Sequence, residues 1–441
     1  MDKPLHFALL GYNDTDYFIS QKAILTMRYN SIIYILLICA LTACNLQSDT
    51  NISEITSEAN STHSQDISQT PLSIIEITPL AQISTSVPLT NTPELVIVDD
   101  SIGPYTFPSN VNPLTGLMVA DATALARRPI VVKISNAPAI VRPQAAIGAA
   151  DIVFEHYVEG GLTRFSAVFY GQVPQRVGSL RSARLIDHEI VPMFGGILVF
   201  WGASIGVDKY IYGSKAIDPH DIHAPHGFVP PSDYVERAYK GVLYGAPYFW
   251  RDDSIIVPHN AFGNLEMIWQ LAAADGHNQR PILQGLAFLE TRPPAQTSTA
   301  NVIDIRYRAT RVRWEYDAIS GLYSRFADGQ AHLDANTQKQ VTAANVVVIY
   351  AEHTDTDIVE SVWQGNNIWS TQIALLGEGS AVLCRDGLRY DGYWIRAERE
   401  DIIGLRTTDG QILHLKPGNT WFQIIRTPQQ QNLDSEGLIV E

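Results

Sequence analysis

The sequence predicts an α+β protein in which a layered α/β domain, residues 109–289, is followed by a mostly β domain, residues 302–428. A signal peptide (27–44) and a disordered tether (45–108) precede both. Three observations carry this reading. A short apolar run near the start ends in cysteine, Val/Ile-rich runs alternate with helical spacing as far as residue 284, and Gly-containing turn pairs recur at short intervals after residue 301.

The leader is residues 27–44, MRYNSIIYILLICALTAC. Its apolar stretch from Ser31 to Ala43 is too short to cross a bilayer, which needs about 20 apolar residues, and suits a signal-peptide core. Leu41-Thr42-Ala43-Cys44 resembles the bacterial lipobox, which makes Cys44 the expected lipidation site and first residue of the mature chain. A plain cleavable signal is the alternative. Acidic residues and a long polar lead ahead of Arg28 suit an n-region poorly, so Met27 is read as the start.

Of three cysteines, Cys39 falls in the leader and Cys44 is acylated on this reading, leaving Cys384 without an intramolecular disulfide partner. The fold must rest on its core, for which a hydrophobic content of 46% is ample. The tether is rich in Ser, Thr, Asn, Gln and Pro and contains no Lys or Arg, so it is expected to be a coil spanning about 45 Å on average. Its lack of cations argues against a polybasic lipid-binding segment. A formal net charge of −15 and the absence of a basic stripe exclude nucleic acid as a partner.

Element by element, Asn112-Pro-Leu-Thr-Gly116 marks a turn before patterned sequence begins. Strands are expected at 129–135, 151–158, 163–170 and 196–201, and helices at 180–194 and 262–274. Residues 290–301 read as a linker. Beyond them, turns are expected at Ser320-Gly321, Asp328-Gly329, Asp386-Gly387, Asp391-Gly392 and Asp409-Gly410. The tail from Pro428 is expected to fray.

Seven ordered motifs then point to a family: NPLTGL (112–117), RRPIVVKISN (127–136), ADIVFE (150–155), VEGGLTRF (158–165), VGSLRSAR (177–184), PHN (258–260) and PGNTWFQ (417–423). Together they resemble the YerB-like lipoproteins of bacteria over about residues 112–428. The resemblance implies a lipid-anchored envelope protein with an N-terminal α/β and a C-terminal β-rich domain, and it implies no established biochemical activity. The His-rich loop below departs from that pattern and inherits no role.

The motifs suggest chemistry of their own. Gly160-Gly161 reads as a two-residue hairpin turn, pairing Tyr157 with Arg164 and Glu155 with Ser166, so that Arg164 reaches Glu155 or Glu159. If Ser179 caps a helix through Phe194, Arg181 and Arg184 lie in its first turn, where the helix already carries positive charge. Two arginines there, with Ser179 and Ser182, form a cradle for a phosphate or carboxylate. The bland alternative is an internal carboxylate such as Glu155, Asp187 or Glu189. Asn260 is read as a helix N-cap, and His259 as a general base, ligand donor or locally bonded residue.

His220, His223 and His226 have the density of a metal site, but Pro219 and Pro225 exclude a helix presenting them and the spacing fits no common zinc framework. No metal and no cofactor is assigned. G-x-S-x-G, P-loop and H-E-x-x-H patterns are missing.

The leading functional reading is an extracytoplasmic, lipid-anchored protein of the cell membrane that binds an anionic envelope ligand in a cleft lined by Glu155, Arg164, Ser179, Arg181, Ser182, Arg184, His259 and Asn260. The alternatives are a hydrolase or transferase acting on a cell-wall polymer, with Glu155 or His259 as acid/base, and a scaffold docking on another envelope protein.

Overall fold

The computed structural model describes residues 100–212, 237–432 and 436–441. The leader, Cys44, residues 45–99 of the expected tether and the His220, His223, His226 loop lie outside the described residues; residues 100–108, expected to close the disordered tether, are instead fixed to the fold, with Ile102 and Phe288 exchanging backbone hydrogen bonds.

An eleven-stranded sheet organises the fold. Its main strands are β1 (Ile130–Ser135), β2 (Ile152–Tyr157), β3 (Thr163–Phe169), β4 (Ile197–Phe200), β5 (Ala238–Lys240), β6 (Asn345–Ala351), β7 (Gly377–Arg385), β8 (Leu388–Arg396), β9 (Gly404–Thr407) and β10 (Thr420–Arg426). The order is β9-β8-β7-β6-β10-β2-β3-β1-β4-β5, with Ser298–Thr299 pairing β8. β1 and β2 are buried along their whole length, which their Val/Ile content permits and which requires every polar exception on them to find a partner.

Strands from both halves of the sequence meet at β2 and β10, which pair in parallel from Ile152↔Thr420 to Glu155↔Gln423. Residues 290–301 therefore separate two stretches of sequence and not two sheets. The buried Arg385 guanidinium donates to the carbonyls of Leu289, Glu290 and Thr291 and pins this segment against the sheet. Family-like motifs from both ends also converge: the Asp151 carboxylate accepts from Asn112 Nδ2 and from the Tyr170 and Gly171 amides, while Gly418 N donates to the Thr115 carbonyl.

One face of the sheet packs against a second sheet formed by Val302–Tyr307, Thr310–Asp317, Leu322–Ala327, Gln330–Ala331 and Gly437–Val440. Alternating burial along Thr310–Asp317 sends Val312 and Trp314 inward, where Trp314 meets Trp421 edge-on at 5.1 Å. The opposite face packs against the helices Asp187–Met193 and Ile205–Tyr212 through Phe154, Leu198, Phe200 and Phe422. A long hairpin, His353–Trp363 with Asn366–Ile373, stands apart from both sheets as its own pair.

Several expectations need correction. The helix expected over 180–194 is only Asp187–Met193. Leu180, Arg181 and Ala183 instead donate their amides to Ala261, Lys133 and Gly202, so long-range pairing claims the groups a helical turn would use. The helix expected over 262–274 is Leu265–Ala274, capped by Asn264 and not by Asn260. The β2–β3 connection is longer than two residues, with Val158 N bonded to the Leu162 carbonyl, and the register pairs Glu155 with Phe165 and His156 with Arg164. That one-residue difference moves Glu155 to the face away from Arg164.

Asp328-Gly329 and Asp386-Gly387 do turn, each with two positive φ values. Asp391-Gly392 does not, because it lies inside β8. Glycine is needed there for a different reason: a Cβ at 392 would overlap the Arg406 carbonyl of β9. Nor does the tail fray. Gly437–Val440 pairs with Val302–Tyr307, and the buried Glu436 accepts from Tyr157 Oη at 2.5 Å.

Candidate functional site

β1 and β4 pair only as far as Val132 and Val199, and beyond that point the segment from Ser179 takes the place beside β1. Ser135 N donates to the Ser179 carbonyl, Arg181 N to the Lys133 carbonyl and Trp201 N to the Arg181 carbonyl. This is the region outside the carboxyl ends of parallel strands, where open α/β sheets form their ligand crevices. The extended backbone turns Leu180 into the core and leaves Ser179 and Arg181 on the other side.

The floor of the site is a cluster on the sheet face toward the helix Asp187–Met193. Lys133, on β1, donates from Nζ to Asp187 Oδ1 at 2.9 Å, to Ser166 Oγ at 2.9 Å and to His156 Nε2 at 2.8 Å. His156 donates from Nδ1 to the Tyr157 carbonyl at 2.8 Å, which leaves Nε2 to accept from the ammonium. Burial holds His156 well below its ordinary range, with Lys133 adding to the effect, and burial also pulls Lys133 down to about 8 against the pull of Asp187. Asp187 Oδ2 accepts from the Arg184 amide at 2.7 Å and fixes the chain where the helix begins.

Above this floor lie the guanidinium groups. Arg184 is held between Glu159 from the β2–β3 turn and Glu360 from the long hairpin, 2.8 Å from each. Glu360 is itself bonded by Ser204 and Ser370. Arg164 donates to the Ser182 carbonyl at 2.9 Å and makes no direct carboxylate contact among the described residues, and burial followed by the Arg184 charge lowers it to about 9. Arg181 forms no ion pair among the described residues; burial lowers it, with further contributions from Arg184 and Arg251. Arg251 donates to Asn260 Oδ1 at 2.6 Å and lies over the Trp201 ring at 4.7 Å. His259 is lowered by burial and then by Arg181. Ser179 Oγ, Arg181 Nε and His259 Nδ1 are enclosed with no hydrogen-bond partner among the described residues.

Four guanidinium groups, Arg164, Arg181, Arg184 and Arg251, thus act on one another around two carboxylates, Glu159 and Glu360. Such an arrangement is stabilised by an incoming anion with two or more acceptor oxygens, which a guanidinium fork matches.

Of the residues expected at the site, Arg164, Ser179, Arg181, Ser182, Arg184 and His259 are brought into this region, and Asn260 supports it through Arg251. Glu155 is not. It is fully buried on the opposite face, where its carboxylate accepts from Arg325 at 2.7 Å, Thr163 at 2.9 Å and Asn136 at 3.1 Å, and no ligand can reach it there. Arg181 lies in non-helical chain well ahead of the helix Asp187–Met193, and Arg184 lies at the turn into it, its carbonyl accepting from the Asp187 amide, so neither occupies the first helical turn expected for it. Lys133, His156, Ser166 and Glu360 were missed by sequence reasoning. Lys133 had a signal, a lone charge inside the apolar run PIVVKIS; Glu360 had none, since it arrives from a hairpin remote in sequence.

Residues 114–278 match the family described as "Protein of unknown function (DUF3048) N-terminal domain", and residues 303–422 match the C-terminal domain of the same family. "Putative lipoprotein YerB" of Bacillus subtilis (strain 168) is 29% identical over 317 residues, covering 71% of this chain and 85% of the relative. The crystal structure of the YerB protein from Bacillus subtilis aligns with a TM-score of 0.58 at 26% identity, covering 75% of this chain and 99% of that one. The chain belongs to the DUF3048 family, with the family's N-terminal and C-terminal domains in succession.

Proposed function

We propose that this protein is a lipid-anchored binding protein of the cell envelope, facing outward, that captures the carboxylate or phosphate of an envelope ligand in the cleft around Arg181. One observation carries the ligand reading: Arg181 is partly enclosed beside three other guanidinium groups, lacks an acidic partner among the described residues, and has the enclosed, unpaired Ser179 hydroxyl beside it in the chain. A charge taken out of water without a counter-charge is unfavourable, and a bound anion removes the penalty.

The anchor reading rests on Cys44 at the end of the apolar leader and on the printed name of the Bacillus subtilis relative. Among the described residues no helix is long and apolar enough to cross a membrane. Replacing Cys44 with Ala should move the protein from the membrane to the soluble fraction; unchanged partitioning into detergent overturns the anchor.

Calorimetric titration with inorganic phosphate tests the ligand. Saturable binding is expected in the intact protein and is expected to be lost in Arg181→Ala and weakened in Ser179→Ala. Binding of equal strength in all three would falsify the assignment of the anion to this cleft.

A further inference from the structure

Resting on the anion reading above, we infer that the ligand is a glycan bearing acidic groups, with its sugar rings stacked on the tip of the hairpin that supplies Glu360. Residues 361–369, Ser-Val-Trp-Gln-Gly-Asn-Asn-Ile-Trp, contain no charged side chain. Yet Trp363 is 68%, Val362 62% and Trp369 40% exposed. A turn at Gln364-Gly365, both with positive φ, closes the hairpin tightly and presents these side chains on a defined frame.

Register ties the tip to the cleft. Asn366, Ile368 and Ser370 alternate onto one face of their strand, and Trp363 pairs directly with Asn366, so it shares that face. Ser370 on the same face bonds Glu360, which in turn binds Arg184. Glu360 sits at a register shift between the pairs Val359↔Trp369 and Ser361↔Ile368, and this bulge lets it and Trp363, three residues on, serve one face no more than about 10 Å apart along the strand, so one extended ligand spans both features. The positively polarised C–H faces of sugar rings suit the negative face of an indole, and the amides of Gln364, Asn366 and Asn367 match hydroxyl groups. The arginines at the hairpin base supply the counter-charge for the acidic substituents. A bilayer surface is disfavoured as the occupant because the tip that would meet it carries the amides of Gln364, Asn366 and Asn367 and no cation, whereas an extended ligand reaches the arginines at the hairpin base.

The test titrates the full chain with oligogalacturonate, galacturonate monomer, inorganic phosphate and phosphatidylglycerol vesicles, reading tryptophan fluorescence and calorimetric heat. Intact protein should bind the oligomer more tightly than the monomer. Trp363→Ala should weaken oligomer binding about tenfold, equivalent to about 1.4 kcal/mol, with Trp363→Phe restoring most of it and phosphate binding unchanged in both. Equal oligomer affinity in Trp363→Ala and intact protein overturns the inference while leaving the anion site standing. So does vesicle binding that depends on Trp363 while oligomer binding does not. Loss of phosphate binding by Arg181→Ala, with oligomer binding still sensitive to Trp363, supports both readings separately.

Discussion

Glu155 and His156 are neighbours on one strand and point to opposite faces of the same sheet, and the two polar clusters they join follow different rules. On the Glu155 side, one carboxylate meets one guanidinium, Arg325, which also contacts His332 at 2.5 Å and is boxed by the rings of Phe165, Trp314 and Trp421. His332 continues to Gln144 at 2.6 Å. Charge is balanced and the partners are all internal. On the His156 side the floor is likewise closed by Lys133 and Asp187, but the layer above it gathers four guanidinium groups around two carboxylates. Enclosed polar atoms without a partner among the described residues occur on both sides, Arg325 Nε and Trp421 Nε1 on one and Ser179 Oγ and Arg181 Nε on the other, so neither burial nor an unsatisfied atom separates the two clusters; the charge balance does.

The largest effect should come from breaking the balanced side. Arg325→Ala leaves Glu155 buried without its counter-charge and should lower stability by about 3–5 kcal/mol in urea denaturation, with no change in phosphate binding. Next is Arg184→Ala, which sets Glu159 and Glu360 against each other. Glu360 is already raised by burial, so the variant should lose about 2–3 kcal/mol near neutral pH and recover part of that loss on mild acidification, as one carboxylate takes up a proton.

Histidines held neutral on both sides make the fold acid-sensitive. Burial lowers His353 to about 4 and His188 to about 3. Because the unfolded chain binds these protons first, stability is complete above about pH 6.5 and is lost as the pH falls through about 4, by roughly 2–3 kcal/mol for His353. Asp151, raised by burial to about 6, acts with the opposite sign and softens the slope between about pH 6 and 4. His353→Gln should flatten the acid limb of stability against pH; an unchanged limb contradicts the assignment. The smallest effect on stability is expected for Arg181→Ala, within about 0.5 kcal/mol of the parent, since removing an uncompensated cation relieves repulsion from Arg184 and Arg251. A loss of several kcal/mol there would show an internal partner and remove the basis for the open site.

The sheet's strands at 130–135, 152–157, 163–169 and 197–200 were legible because their apolar runs are dense and bounded by turn residues, and the hairpins at Asp328-Gly329 and Asp386-Gly387 announced themselves through residues that tolerate positive φ. Residues 179–184 were not legible as non-helical chain. Their spacing of Leu180, Ala183 and Ile186 fits a helix, and only the carbonyls of Lys133, Ala261 and Gly202 at distant positions decide otherwise. The Glu155 to Arg164 pairing failed for a related reason: a longer turn changes the register by one and exchanges the faces. The arginines were read as anion-seeking from a helix beginning at Ser179, and the helix begins only at Asp187; their counter-charges could not be read at all, because Glu360 comes from the far half of the chain.

One comparison of melting temperatures tests the anion site around Arg181 most directly. Intact protein, Arg181→Ala and Arg325→Met are melted in phosphate and in chloride at equal ionic strength, and the increment due to phosphate is read for each. A ligand that binds only the folded state raises stability by mass action. A clear phosphate increment is expected in the intact protein and in Arg325→Met, whatever their absolute melting temperatures, and none in Arg181→Ala. No increment in the intact protein, or an increment that survives in Arg181→Ala, overturns the anion site at Arg181.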